Sequence, residues 1–170
     1  MQLSDNKAAI LTYFTFTTAR LRLEPIDSSS IELLAKLYGC SKTMQYIADP
    51  LSFSKIEKMM SDIMYKQQRQ HYDTLLLRIK HKDNETDFGI GGMPYLNLTN
   101  KEAEVGVMLL PLAQGKGLAV EVVKALVNML KQLDVNTIYM NIDPDNKAAI
   151  IGATKAGFAV SSDPSRYVFQ

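Results

Sequence analysis

The stretch Glu104-Val-Gly-Val-Met-Leu-Leu-Pro-Leu-Ala-Gln114-Gly-Lys-Gly117-Leu-Ala119 runs an alternating strand into a glycine-containing turn, and a long apolar segment follows at once. Strand, glycine turn and helix in that order build a seat for an anion. Glycine lets backbone approach a ligand closely, and the unpaired N–H groups of the next helix's first turn, aided by its dipole, hold phosphate oxygens without a catalytic side chain. The spacing differs from Gly-x-x-x-x-Gly-Lys-Ser/Thr, so Gly115-Lys-Gly117 does not read as a triphosphate cradle with its magnesium.

On either side the pattern is that of alternating strands and amphipathic helices. Upstream, Thr74 to Lys80, Phe88 to Leu96 and Ala103 to Leu110 read as three strands joined by the polar turns Lys82-Asp-Asn-Glu85 and Asn97-Leu-Thr-Asn-Lys101. Short links make them antiparallel neighbours. Downstream, Leu118 to Leu133 is a helix and Thr137 to Ile142 a strand. A last helix over about Asp145 to Ala156 stops at Gly157, and Phe158-Ala-Val with Tyr167-Val-Phe closes a hairpin. Nearer the start, Arg20 to Pro25 alternates as a half-buried strand. Ser29-Ser-Ile-Glu32 and Ser54-Lys-Ile-Glu57 read as capping boxes opening two helices, the first stopped by Gly39. Met59, Met60 and Met64 in the second helix read as a packed apolar face. The run Ala8 to Thr18 reads as a further strand, with Ile10 to Phe16 free to pair with another strand or subunit. The class is mixed α/β (α+β), with a mainly antiparallel sheet and one late parallel crossover.

Composition narrows the function. A chain of 170 residues with 46% apolar content fits one domain over 1–170, residues 1–17 being an extension or extra strand. Nineteen basic residues against eighteen acidic ones, scattered along the chain, leave no footprint for nucleic acid. No stretch approaches the roughly 20 apolar residues of a membrane span. The single Cys40 cannot form an internal disulfide and reads as a small buried residue. No Cys/His spacing fits zinc, and His71 and His81 read as structural or surface residues. These features point to the cytoplasm; the oligomeric state, monomer or homodimer, is left open by the sequence.

Gln114-x-x-Gly117-x-Ala119, then Asn146 and Lys155-Ala-Gly157-Phe158 at matching spacing, resembles the GCN5-related N-acetyltransferase (GNAT) superfamily. Thr18-Ala-Arg-Leu-Arg-Leu, Asp49-Pro50 and Glu104-Val-Gly106 resemble its ribosomal-protein N-terminal acetyltransferase subgroup. The resemblance covers most of the chain. It implies a sheet splayed between the fourth and fifth core strands by a bulge in the strand before the glycine turn, with acetyl-CoA in the gap. Met108, Leu109 and Leu110 would then lie along the pantetheine arm, and Gly115, Lys116, Gly117, Leu118 and Ala119 around the pyrophosphate. Gln114 and Lys116 would add hydrogen bonds or charge. Asn146 would contact the arm, or cap the helix that follows it.

The reaction so implied moves an acetyl group from the thioester to a primary amine, on a protein N-terminus or a small molecule, by direct attack. The amine must lose a proton first. Glu104 is the first candidate base and Glu102 the second, both on one face of their strand. Where many members of the family carry a serine and a tyrosine, three and seven residues after the asparagine, this chain has Ala149 and Ala153. Tyr139 reads as packing. An acyl-CoA-binding sensor or interaction module is the alternative that Ala149 and Ala153 keep open. The acceptor is expected to be selected by the first two helices, the loop from Met44 to Phe53 and the final hairpin.

Overall fold

A computed structural model describes residues 8–170 of the chain. In order, its elements are helix α1 (Ala8–Tyr13), strands β1 (Phe16–Thr17) and β2 (Leu21–Pro25), helices α2 (Ile31–Tyr38), α3 (Ser41–Met44) and α4 (Phe53–Gln68), and strands β3 (Leu75–His81), β4 (Asp87–Asn97) and β5 (Glu102–Leu109). Then come α5 (Leu118–Gln132), β6 (Thr137–Asn141), α6 (Lys147–Ala156), β7 (Phe158–Val160) and β8 (Arg166–Phe169). The eight strands form one sheet in the order β1-β2-β3-β4-β5-β6-β8-β7. Every pairing is antiparallel except β5 with β6.

Period-2 alternation divides the core between the two faces. Leu21, Leu23, Leu77, Ile79, Val105 and Ile138 meet α5 and α6 on one side. Leu76 and Ile90 meet Leu34, Leu37, Ile56 and Met60 of α2 and α4 on the other. Met60 is buried and Met59 and Met64 pack around it, so the methionines are core filling.

Several local expectations change. The run from Ala8 is a helix that ends at Tyr13, and only Phe16–Thr17 pairs, with β2. The apolar side chains decide this by packing: Phe14 is fully buried, and the Tyr13 hydroxyl donates to the Met129 carbonyl of α5 (3.0 Å). Tertiary contact overrides the strand propensity of the run, so that among the described residues only the two-residue β1 forms that edge of the sheet. The first cap sits two residues early. Asp27, not Ser29, accepts the Ser29 amide, and Ser30 returns a bond to the Asp27 amide, around the 3-10 turn Ser28–Ser30. The second box does not form: α4 begins at Phe53, and its N-cap Ser52 makes no side-chain cap bond. Cys40 is half-exposed at the start of α3, its thiol held below the usual value by hydrogen bonds from Thr43 and the Lys42 amide.

Two irregularities of the sheet position the site. Gly92 pairs with Gly106, but the next rung joins Tyr95 to Glu104, so Met93 and Pro94 together oppose Val105. The bulge therefore lies in β4, not in the strand before the glycine turn. Pro94 has no N–H to give the ladder, and Gly92 sits at φ +148°, where a Cβ would meet the Leu75 carbonyl oxygen at 2.2 Å. The second irregularity is that β5 and β6 share only the rungs Glu102–Thr137, Ala103–Ile138 and Glu104–Tyr139. Beyond these, Val105 to Leu109 has no β6 partner, and the sheet opens between its fourth and fifth core strands.

Candidate active site at the strand split

The opening between β5 and β6 is a cleft of about 530 Å³. Val107 and Leu109 wall it on the β5 side, Met140 on the β6 side, and Ala149, Gly152 and Ala153 of α6 keep it wide by being small. At its end the chain turns through a 3-10 segment (Pro111–Ala113) into Gly115 and Gly117, both left-handed at φ +72°, before α5 starts at Leu118. Left-handed backbone at two positions in three demands glycine. A Cβ on Gly115 would meet nothing within 4 Å, so the space beside it is open to a ligand. The first amides of α5 face that opening at the positive end of the helix dipole.

Leu109, Gln114, Gly115, Gly117, Leu118 and Ala119 line this cleft. Met108 and Leu110 do not: their side chains pack on the far face against α2 and α4. Strand alternation accounts for this, since Leu109 points one way and its two neighbours the other. Lys116 is exposed at the turn. The Gln114 amide is turned back to the Leu109 carbonyl (2.9 Å), where it braces the end of β5. Asn146 caps α6, accepting the Ala149 amide at 3.1 Å.

The two candidate carboxylates have different surroundings. Glu102 is paired with Arg166 (Nη2 to Oε1, 2.9 Å). Glu104 is half-buried on the last rung before the split, and burial raises its carboxyl above the ordinary glutamate value, with the Asn141 amide and the Arg166 charge opposing the rise. On the same sheet face the guanidinium of Arg166 covers the Tyr139 ring (Cζ to centroid 3.8 Å), and burial raises the Tyr139 hydroxyl as well. Neither histidine is near this cluster. His71 contacts Asp73 (3.3 Å), and His81 accepts the Asp83 amide (3.1 Å) and stacks edge-on against Phe88.

Sequence reasoning passed over one group. Arg20, just before β2, forks onto Glu121 in the first turn of α5 (Nε to Oε2, 2.7 Å; Nη2 to Oε2, 2.6 Å) and donates to the Lys116 carbonyl oxygen within the glycine turn (2.9 Å). Thr18 also donates to Glu121. Thr18 and Arg20 stand in the Thr18-Ala-Arg-Leu-Arg-Leu segment, but nothing in that segment pointed to Glu121, 101 residues beyond Arg20.

A family model described as an acetyltransferase (GNAT) domain matches residues 20–159. The fold is similar to spermidine N-acetyltransferase from Vibrio cholerae in complex with CoA and spermine (TM-score 0.72, 17% identity, 89% of this chain and 93% of that one covered). It is also similar to a ribosomal L7/L12 alpha-N-protein acetyltransferase in complex with coenzyme A (0.74, 20%, 86% and 84%). A third similar structure is a microcin C7 self-immunity acetyltransferase in complex with acetyl-CoA and AMP (0.70, 21%, 89% and 89%). At such identities the likeness is one of fold. The sequence matches none of the curated proteins it was compared with.

Proposed function

Because the chain belongs to the GNAT acetyltransferase family, we propose that it is an N-acetyltransferase that moves an acetyl group from acetyl-CoA to a primary amine by direct attack. One observation carries the reading: the split between β5 and β6 opens onto two left-handed glycines at the start of α5. That geometry fits the donor. The amides from Gly115 to Ala119 hold its pyrophosphate, and the edge of β5 that β6 leaves free beyond Glu104 offers its backbone groups to the pantetheine arm.

Glu104 ends the paired part of the ladder and is the residue we assign as base. An amine near pKa 10.4 for lysine, or about 7.7 to 8.0 for an N-terminus, is largely protonated at neutral pH, and a carboxylate with a raised pKa accepts its proton more readily than an ordinary one. Glu102, held by Arg166, is the weaker choice. The freed amine attacks the thioester carbon, and the departing thiol, with an ordinary pKa of about 8.5, leaves without a dedicated acid. Orientation in the cleft supplies much of the rate.

Calorimetric titration with acetyl-CoA, followed by thiol release over a panel of peptides and small amines, tests this reading. Absence of binding at millimolar concentration would remove it. A second reading, an acyl-CoA-binding sensor, is supported by Ala149 and Ala153 on the cleft wall. Binding without thiol release for any amine would favour that one.

A further inference from the structure

We propose that Arg20 is a positioning residue for the donor's pyrophosphate, acting through Glu121 and the Lys116 carbonyl; this rests on the reading that the cleft takes acetyl-CoA. The starting point is an electrostatic conflict. Glu121 occupies the first turn of α5, where a carboxylate competes with an external anion for the same positive helix end. Its side chain is only 17% exposed, so water screens it poorly. Left alone it would repel a pyrophosphate at the glycine turn.

Arg20 resolves the conflict from another part of the chain. Its guanidinium takes Glu121 through two nitrogens, at 2.7 and 2.6 Å, and its main-chain amide adds a third bond (3.0 Å). Both guanidinium nitrogens converge on Oε2 while the Arg20 amide and Thr18 take Oε1, so the carboxylate is neutralised and its direction fixed. The remaining arm of the fork, Nη1, takes the Lys116 carbonyl oxygen (2.9 Å). Holding that carbonyl on the Arg20 side orients the peptide it shares with Gly117, so that the following amides stay turned toward the ligand. The contact is close: a Cβ on Gly117 would lie 3.9 Å from Arg20 Nη2.

The experiment compares the wild type with Arg20→Met, Arg20→Lys, Glu121→Gln and the Arg20→Met/Glu121→Gln double variant in the full chain. Affinities for CoA and for the pantetheine fragment, which lacks the pyrophosphate, are measured by calorimetry, with kcat from thiol release at saturating acetyl-CoA. Arg20→Met is expected to weaken CoA binding about tenfold, leave kcat within about twofold, and leave the fragment's affinity unchanged. The double variant should regain about threefold, because no unpaired carboxylate then faces the anion. Arg20→Lys, which keeps the charge and is the safer variant for folding, should fall between wild type and Arg20→Met. Unchanged CoA affinity in Arg20→Met overturns the proposal, as does an equal loss for CoA and the fragment, which would mark a merely structural ion pair. If the wild type itself binds no CoA, the acetyltransferase reading fails together with this one; if the wild type binds and the variants do not differ from it, only this one fails.

Discussion

Glu104 faces Tyr139 across the last rung that joins β5 to β6, and beyond that rung the two strands part. The carboxylate and the phenol therefore stand at the point where the open cleft begins, on the face of the sheet that also carries Arg166 and Asn141.

If Glu104 takes the proton from the acceptor, Glu104→Gln should lower kcat by about 100-fold while leaving CoA affinity unchanged. The rate of the wild type should rise with pH through a midpoint above the ordinary glutamate value, in line with the raised carboxyl. Steady-state rates over a pH series, with calorimetry on the variant, check both. An equal loss in Glu102→Gln would shift the assignment to the Arg166-paired carboxylate.

The same substitution should stabilise the fold. Glu104 is an acid whose folded pKa is raised, so the folded chain holds its proton more tightly than the unfolded chain does. The resulting penalty is complete above the folded pKa, shrinks as pH falls through it and vanishes below the unfolded value. Glu104→Gln is thus expected to melt a few degrees higher at neutral pH, and the gain should disappear in acid. A stabilising substitution that slows turnover would be the usual trade at an active site.

Tyr139 is buried under Arg166, which suits packing better than proton transfer. Tyr139→Phe should keep kcat within about threefold of wild type, since a thiol of pKa about 8.5 leaves unaided. A drop of about 100-fold would instead make the phenol the acid that Ala153 cannot be.

Two glycines of positive φ should respond in opposite ways. Gly115→Ala meets no atom within 4 Å, so it should cost only about 1–2 kcal/mol of backbone strain, yet weaken CoA binding at least about tenfold by filling the open side of the turn. Gly92→Ala drives a Cβ into the Leu75 carbonyl oxygen at 2.2 Å, and about 3–5 kcal/mol of stability should be lost. Urea unfolding of both proteins, with calorimetry on the first, separates the two effects.

The elements from β3 to α6 were legible because their signals are local: alternation, helical spacing, and glycine at the turn and after α6. What failed to show in the sequence depends on distant partners. The run from Ala8 became a helix because α5 receives Tyr13 and Phe14, and the capping bonds moved to Asp27 because a 3-10 turn precedes α2. At the site, the glycine turn was plain, whereas the Arg20–Glu121 pair joins residues with no local pattern in common. The far-side placement of Met108 and Leu110 was within reach, since alternation alone puts them opposite Leu109.

Helix α5 is held at both ends by one short piece of chain: Thr18 and Arg20 bind Glu121 in its first turn, and Tyr13 binds Met129 and Gln132 near its last. The ends of this brace are contacts across 101 and 119 residues. During synthesis, then, the segment from Tyr13 to Arg20 must wait for α5, the last helix but one, before either anchor can close. Contacts of such separation are late and slow to form. The glycine turn thus takes its final place only after most of the sheet is assembled, and CoA, if it binds there as proposed, should report completed folding, not an early intermediate.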